Sequence, residues 1–128
     1  MNNTLMGRVA WVTGGGSGIG LAGALELVKA GVHVVISGRN ATTNASALEQ
    51  LQAFGSAEAI LLDVADKNAV QAASKHILTS HGRIDILINS AGMNATKRNL
   101  DVLSTDSWDE VVNINLNGLF YCVHAVLP

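Results

Sequence analysis

The sequence predicts an α/β fold in which four parallel strands form a doubly wound sheet with helices on both faces. Short apolar runs rich in β-branched residues alternate with amphipathic helical stretches along the chain. Strands that are apolar at nearly every position are typical of parallel sheets that are buried on both sides. Right-handed crossovers between such strands place the helices on both faces of the sheet.

Each predicted element has a local pattern that supports it. The strands are the apolar runs at 8–13, 33–37, 59–62 and 84–88, and helices are predicted between them and at roughly 105–127. A glycine stops each of the first three helices: Gly31, Gly55 and Gly82. The predicted apolar face of the second helix holds Ala41, Ala45, Leu48 and Leu51. Asp66 can cap the third helix, whose predicted buried face holds Val70, Ala73 and Ile77.

Composition limits the class of protein. Of 128 residues, 48% are hydrophobic and 14% charged, which is expected of one folded domain spanning 1–128. The net charge of −2 gives no reason to expect nucleic acid or an anionic membrane as a partner. Neither a secretory signal nor an apolar run of membrane-spanning length is visible. The single cysteine, Cys122, fits a reducing compartment, so we expect a cytoplasmic protein.

The segment TGGGSGIGLAG at 13–23 joins the first strand to the first helix and contains two phosphate-binding registers. A literal G-x-G-x-x-G search matches Gly18, Gly20 and Gly23, but its turn glycine comes too late after the strand. In the alternative register Gly14 makes the turn, Gly18 lets the backbone approach a phosphate, and Gly20 lets the helix press on the sheet. Because the helix N-terminus must point at the pyrophosphate directly after the strand, the sequence favours the alternative register.

Four segments in the expected order resemble the short-chain dehydrogenase/reductase family. They are TGGGSGIG at 13–20, LDVAD at 62–66, NSAG at 89–92 and WDEVVNINLNG at 108–118. The resemblance covers nearly the whole chain and implies the N-terminal, cofactor-binding half of a Rossmann-like, NAD(P)-dependent oxidoreductase. The implied activity is hydride transfer between a nicotinamide cofactor and a small carbonyl or alcohol substrate.

The resemblance assigns roles to residues at the strand ends. The implied cofactor-binding residues lie in the glycine loop and after strands three and four: Gly14, Ser17, Gly18, Ile19, Gly20, Asp63, Val64, Asn89, Ala91 and Gly92. Asp63 would hold the adenine amino group with help from the Val64 backbone. Asn115, the implied catalytic residue, would distort its helix and anchor a water in a proton relay. Structural alternatives stay open: a turn or cap for Asp63, backbone hydrogen bonding for Asn89, and a solvated helix face for Asn115.

The end of strand two predicts the cofactor preference. An acidic residue there would bind both ribose hydroxyls and repel a 2′-phosphate, but the segment reads ISGRN, with no acid. Arg39 offers a planar cation that suits a phosphate, and family members with arginine here tend to prefer NADP(H). The sequence therefore favours NADP(H) over NAD(H), and a solvated surface arginine is the alternative.

The family's proton-donating Tyr-x-x-x-Lys motif is missing from these residues. The only tyrosine is Tyr121, and Ala125 occupies the position where the lysine would stand. We therefore expect no turnover from residues 1–128 alone. Two function classes stay open: an oxidoreductase of which this chain is the cofactor-binding half, and a non-catalytic dinucleotide-binding or interaction fragment. Sequence beyond Pro128 would separate them.

No other catalytic set replaces the missing motif. The four histidines show no zinc-ligand spacing, so no metal site is expected: His33, His76, His81 and His124. Strand four would have a partner on one side only, and the last helix carries several apolar residues, so we expect a homo-oligomer. The substrate cannot be named, because only 93–98 would border its pocket.

Overall fold

The computed structural model describes residues 4–92, 99 and 101–127. Four parallel strands form one sheet in the order β3-β2-β1-β4. The strands are β1 (Val9–Thr13), β2 (His33–Gly38), β3 (Ala57–Leu61) and β4 (Ile86–Asn89). The helices are α1 (Gly18–Lys29), α2 (Ala41–Gln52), α3 (Lys67–His81), α4 (Thr105–Val112) and α5 (Gly118–Val126), with a π-helical turn at Asn113–Asn117 between α4 and α5. The predicted fold class is confirmed.

The sheet is buried on both faces because its strands carry apolar side chains on both sides. On one face Ala10, Val12 and Ile36 pack against α1 and α2. On the other face Trp11 and Val35 pack against α3, the π-helical turn and α5. Burial of both faces explains why the strands are apolar throughout rather than alternating.

Two strands begin two residues away from their predicted first residues. β3 begins at Ala57 rather than at residue 59, and β4 begins at Ile86 rather than at 84. The early start of β3 was missed because it includes the charged residue Glu58, which pairs with Val35 of β2 in the parallel register. Glu58 is half-buried, and its carboxylate has a hydrogen-bond partner there, because His81 Nε2 lies 2.8 Å from Oε1.

The buried face of α2 also differs from the prediction. The buried residues are Asn44, Ala47 and Leu51, whereas Ala41 and Ala45 are exposed. Asn44 belongs inside because its amide nitrogen donates to the carbonyl oxygens of Gly38 (3.0 Å) and Ile60 (3.5 Å). A polar side chain with backbone partners can be buried, and a pattern of apolar residues cannot reveal it.

The third helix agrees with the prediction. The Asp66 carboxylate accepts a hydrogen bond from the Ala69 amide at 3.1 Å, and Gly82 ends the helix in the left-handed conformation. The face holding Val70, Ala73 and Ile77 is buried. Within the described part of the chain, no helix is both long and apolar enough to cross a membrane.

Candidate functional site

The glycine loop adopts the register that begins at Gly14. Gly14 has φ +65°, and a Cβ there would lie 2.7 Å from the Ala91 amide nitrogen and the Ser90 carbonyl oxygen. A Cβ on Gly20 would lie 2.2 Å from the Gly14 carbonyl oxygen, so the helix lies too close to the turn for any side chain at this position. At Gly23 the nearest atom would be 3.9 Å away, which is ordinary contact.

Gly18 and its neighbours open toward solvent at the start of α1. Gly18 has φ +55°, and a Cβ there would meet nothing within 4 Å. Ser17 is the N-cap residue but makes no side-chain capping bond, and the first turn of α1 contains no acidic residue. Ile19 is 88% exposed, although it is a large apolar side chain. The N-terminus of α1 thus exposes backbone amide groups and an apolar side chain to solvent.

A cleft of about 780 Å³ lies in front of this helix end, at the carboxyl ends of the strands. Its lining combines the glycine loop with the segments after β2, β3 and β4: Gly14, Gly16, Ser17, Gly18, Ile19, Ser37, Gly38, Arg39, Asn40, Thr43, Asn44, Leu62, Val64, Ser90, Ala91, Gly92 and Ile114. Among these described residues Arg39 is the only charged side chain. The volume is within the range of small-molecule and cofactor sites.

Most of the predicted cofactor residues are brought together in this cleft, and the others lie beside it. Gly20 lies under the turn, where it supports the loop rather than lining the cleft. Asp63 is exposed in a neighbouring pocket, and its carboxylate accepts a hydrogen bond from the Ala65 amide at 2.9 Å. This bond matches the turn role that the sequence left open, and the adenine role of Asp63 stays a prediction.

Asn89 ends β4 with a buried, unused acceptor. Its side-chain oxygen has no hydrogen-bond partner among the residues that the structure describes. An orphaned buried oxygen is costly unless a ligand or water satisfies it. Beside it, the buried Thr13 hydroxyl donates to the Ile88 carbonyl at 3.4 Å and accepts from the Ala91 amide at 3.3 Å. Thr13 therefore fixes the end of β1 against the segment that Asn89 begins.

Arg39 lies at the mouth of the cleft and meets a carboxylate from α4. Its Nη1 atom is 3.8 Å from the Glu110 carboxylate, and the two side chains are 48% and 54% exposed. An exposed ion pair of this kind is weak, because water screens both charges. The guanidinium can therefore exchange this partner for a phosphate at small cost.

Asn115 lies in the π-helical turn, next to the segment after β4. A Cβ on Gly92 would lie 3.1 Å from the Asn115 side-chain oxygen. Single π-helical turns within α-helices are frequent at functional sites, and this turn is the local distortion that the resemblance implies. The helix also approaches the segment after β3 closely, since a Cβ on Gly118 would lie 2.5 Å from the Val64 side chain. The water-anchoring role of Asn115 stays a prediction.

Sequence reasoning missed two residues that shape the cleft wall. Asn44 fills the space beside Gly38, where a Cβ would lie 2.7 Å from the Asn44 side-chain oxygen. Thr43 lies beside Gly16 in the same way, with its methyl group 2.9 Å from a Cβ built there. The sequence signal near this turn is Asn40, because asparagine is a preferred N-cap residue. Its side-chain oxygen accepts a hydrogen bond from the Thr43 amide at 3.0 Å.

Neither Tyr121 nor Cys122 offers catalytic chemistry at this site. Tyr121 is half-buried against the core and does not line the cleft. Cys122 is 1% exposed, and burial raises the pKa of its thiol to about 11, so it remains protonated at neutral pH. Residues 93–98, expected to border the substrate pocket, lie outside the described residues.

The chain belongs to the short chain dehydrogenase family, which matches residues 8–128. It is 36% identical over 123 residues to the 3beta-hydroxysteroid dehydrogenase of Mediterraneibacter gnavus, covering 92% of this chain and 45% of that protein. It is 38% identical over 122 residues to the 2-dehydro-3-deoxy-L-rhamnonate dehydrogenase (NAD(+)) of Sphingomonas sp., covering 95% and 48%.

Two solved structures superpose closely on the chain. NAD+-bound xylitol dehydrogenase gives a TM-score of 0.92 at 29% identity, covering 96% of this chain and 48% of that one. The RhlG/NADP active-site complex of Pseudomonas aeruginosa gives 0.90 at 32% identity, covering 100% and 50%. The family predicted from the four motifs is therefore confirmed, and the chain spans about half the length of the relatives it matches.

Proposed function

We propose that the protein is an NAD(P)-dependent oxidoreductase that transfers a hydride between the nicotinamide cofactor and a small carbonyl or alcohol substrate. The observation that carries this proposal is the cleft at the carboxyl ends of the strands, where the free N-terminus of α1 faces inward. Helix amides that point into a glycine-lined cleft favour a phosphate group. The orphaned oxygen of Asn89 and the exposed Ile19 fit a ligand that supplies both a polar and an apolar surface.

In this proposal the chain's own residues bind and orient the dinucleotide. The amides at the start of α1 and the backbone at Gly18 hold the pyrophosphate, and Val64 forms part of the cleft wall after β3. Asp63 lies just outside the cleft and contacts the adenine amino group. Asn89, Ala91 and Gly92 position the nicotinamide end, and Asn115 keeps a water beside Gly92. When bound, the cofactor supplies the hydride.

The proton for carbonyl reduction is proposed to come from outside residues 1–128. In the described residues the cleft is lined by no tyrosine, lysine or histidine that could donate it. The second candidate is a non-catalytic dinucleotide-binding protein, because residues 1–128 themselves contain no Tyr-x-x-x-Lys motif. Mixing the protein at its natural length with reduced cofactor and a panel of ketones and aldehydes separates the two. Carbonyl-dependent cofactor oxidation supports the oxidoreductase, and tight cofactor binding without oxidation supports the second candidate.

Arg39 is proposed to select NADP(H) over NAD(H). It is the only charge on the described lining of the cleft, and relatives of solved structure include both NAD+ and NADP complexes, so the choice depends on this chain's own residues. Arg39→Ala removes a charge-assisted bond of about 1.5–3 kcal/mol to the 2′-phosphate. The Kd for NADPH should therefore rise by about 10- to 100-fold, whereas the Kd for NADH stays nearly constant.

Glu110→Gln is the matched variant for this measurement. It removes the carboxylate that competes for Arg39, so NADPH should bind a few-fold more tightly while NADH binding is unchanged. Fluorescence titration of both cofactors against the parent and both variants gives the change in Kd for each cofactor in each variant. If Arg39→Ala weakened the binding of NADPH and NADH by the same factor, selection by this residue would be refuted.

We also propose that the protein self-associates in a reducing compartment such as the cytoplasm. The π-helical turn and α5 expose large apolar side chains: Leu116 is 64%, Leu119 46% and Phe120 60% exposed. Exposed apolar area of this kind favours association.

A further inference from the structure

Three ionisable side chains converge at the amino-terminal end of the sheet, opposite the cofactor cleft. His33 begins β2, Glu58 lies in β3, and His81 is the last residue of α3. One potential ligand atom of each lies within 4.8 Å of the other two. The cluster therefore joins two strands and a helix at a place that the proposed oxidoreductase function does not use.

The distances within the cluster are close to those of a coordination shell. The Glu58 carboxylate oxygen Oε1 lies 2.8 Å from His81 Nε2 and 4.0 Å from His33 Nε2. Ligand atoms around a tetrahedral zinc ion lie about 3.3 Å apart, given zinc–ligand bonds of about 2.0–2.1 Å. Shifts of about 1 Å, within the reach of side-chain torsions, would bring these atoms to that spacing. The side chains of His33 and His81 are 20% and 21% exposed, so the position is mostly shielded from water.

His33 has the hydrogen-bond pattern of a metal ligand. Its Nδ1 atom is hydrogen-bonded to the Ser56 hydroxyl. Its Nε2 atom is buried and has no hydrogen-bond partner among the described residues. Histidines that bind metals generally use one ring nitrogen for the metal and have the other held by a protein oxygen, which fixes the tautomer. Because Ser56 occupies Nδ1, Nε2 is the ring nitrogen that is open to a metal, 4.0 Å from the Glu58 carboxylate.

The chemistry of the donor atoms in the cluster suits a divalent cation. Burial, and then the neighbouring His81, lower the pKa of His33 despite the opposing attraction of Glu58. Burial alone would raise the pKa of Glu58, but hydrogen bonds from His81 and His76 hold it below its ordinary value, so the carboxylate is ionised. Two imidazole nitrogens and one carboxylate oxygen are the donor set of many zinc sites.

We propose that His33, Glu58 and His81 form a zinc-binding site, with a fourth position open to water. His76, whose Nε2 atom is 3.6 Å from the second Glu58 oxygen, orients the carboxylate from the rim. Bound zinc would tie the end of α3 to β2 and β3 and would use the unsatisfied nitrogen of His33. No metal site is predicted from the sequence, because these ligands come from three separate elements and have no short spacing.

The test uses the protein at its natural length, purified without a histidine tag and stripped with a chelator. Calorimetric titration with zinc chloride should show one ion per chain with a Kd of about 10 µM or tighter. Glu58→Gln and His81→Gln, which preserve side-chain size, should each weaken binding at least about 100-fold, and Ser56→Ala about 10- to 100-fold. Circular dichroism of each apo variant establishes that it folds.

His124→Gln is the matched control, because it removes an exposed histidine of α5 that lies outside the cluster. Its zinc affinity should equal that of the parent. X-ray absorption of the zinc-loaded parent should show only nitrogen and oxygen ligands, a result that needs no variant to fold. The proposal is overturned if the parent binds no zinc, if the Glu58 and His81 variants bind it as the parent does, or if the ligands include sulfur.

Discussion

The two ends of the parallel sheet are built in opposite ways. At the carboxyl end the cleft is shaped by backbone, since Gly14 and Gly20 lie where a single added carbon would meet other main-chain atoms at 2.2–2.7 Å. At the amino end the contacts are made by ionisable side chains, with Glu58 between histidines and Asp85 between arginines. The shape of the carboxyl end depends on glycines that have no side chain, whereas the amino end is stabilised by contacts between charged side chains.

This difference predicts opposite responses to mutation. Adding atoms should be most damaging at the carboxyl end, because protein interiors have no spare volume to receive them. Removing polar atoms should matter at the amino end, but less, because solvent partly replaces lost ionic contacts near a surface. Three sets of variants test this contrast.

Gly20→Ala should have the largest effect. Its Cβ would lie 2.2 Å from the Gly14 carbonyl oxygen, so the turn or the helix must move. We expect the free energy of unfolding to fall by about 3 kcal/mol or more. The Kd for NADPH should rise at least about 100-fold, because the helix amides lose their alignment with the pyrophosphate. Urea denaturation and fluorescence titration measure the two quantities.

Gly23→Ala is the control in the same helix. A Cβ there meets only Ile88 at 3.9 Å, and alanine favours helix over glycine by about 0.5–1 kcal/mol. The variant should therefore be slightly more stable and should bind NADPH as the parent does. If Gly23→Ala instead lost cofactor binding while Gly20→Ala retained it, the register starting at Gly14 would be wrong.

Asn44→Ala should have an intermediate effect. Asn44 differs from the glycines of the carboxyl end because its contacts are made by a side chain. The substitution removes the amide that donates to the Gly38 and Ile60 carbonyls, and leaves the Ile60 oxygen without that partner. We expect a loss of about 1–3 kcal/mol in the free energy of unfolding and a several-fold rise in the Kd for NADPH. Asn40→Ala, which removes only the helix cap, should cost about 1 kcal/mol. A loss in Asn44→Ala no greater than in Asn40→Ala would show that the buried amide contributes little.

The backbone geometry of the glycine loop agrees with the sequence prediction because the requirements there are local, and the cofactor-binding roles of these residues stay predictions. The turn at Gly14, the open position at Gly18 and the close approach at Gly20 all follow from the position of a strand end relative to the next helix. The four motifs predicted the family in the same way, because each lies within one short segment that follows a strand or forms a helix.

The residues that the sequence could not predict depend on pairing between distant segments. Glu58 reads as a break in an apolar run, and only its register against Val35 places it inside β3. Asn44 reads as an exposed polar residue until the carbonyls of Gly38 and Ile60 are known to lie beside it. His33 and His81 come together only when α3 packs across the sheet.

Asp85→Asn should have the smallest effect, and it tests the amino end. The Asp85 carboxylate accepts hydrogen bonds from the Val9 amide at 2.8 Å and from Arg83 at 2.6 Å, with Arg8 at 3.5 Å. Asparagine can still accept from Val9 but cannot attract the arginines, so we expect the Tm at pH 7 to fall by a few degrees at most. Asp101→Asn, an exposed carboxylate in a turn, is the control and should leave the Tm unchanged.

The pH dependence of this effect has a definite sign. Hydrogen bonds from Arg83, then the Val9 amide and the positive charges of Arg83 and Arg8, hold the pKa of Asp85 below its ordinary value. A carboxyl whose pKa is lower in the folded state adds stability above its unfolded pKa of about 4, and that stability is lost as the pH falls through the folded value. The Tm difference between parent and Asp85→Asn should therefore shrink as the pH drops below about 4. A difference that stayed constant down to pH values where the carboxyl is protonated would mean that packing, rather than charge, holds this end of β1 to the start of β4.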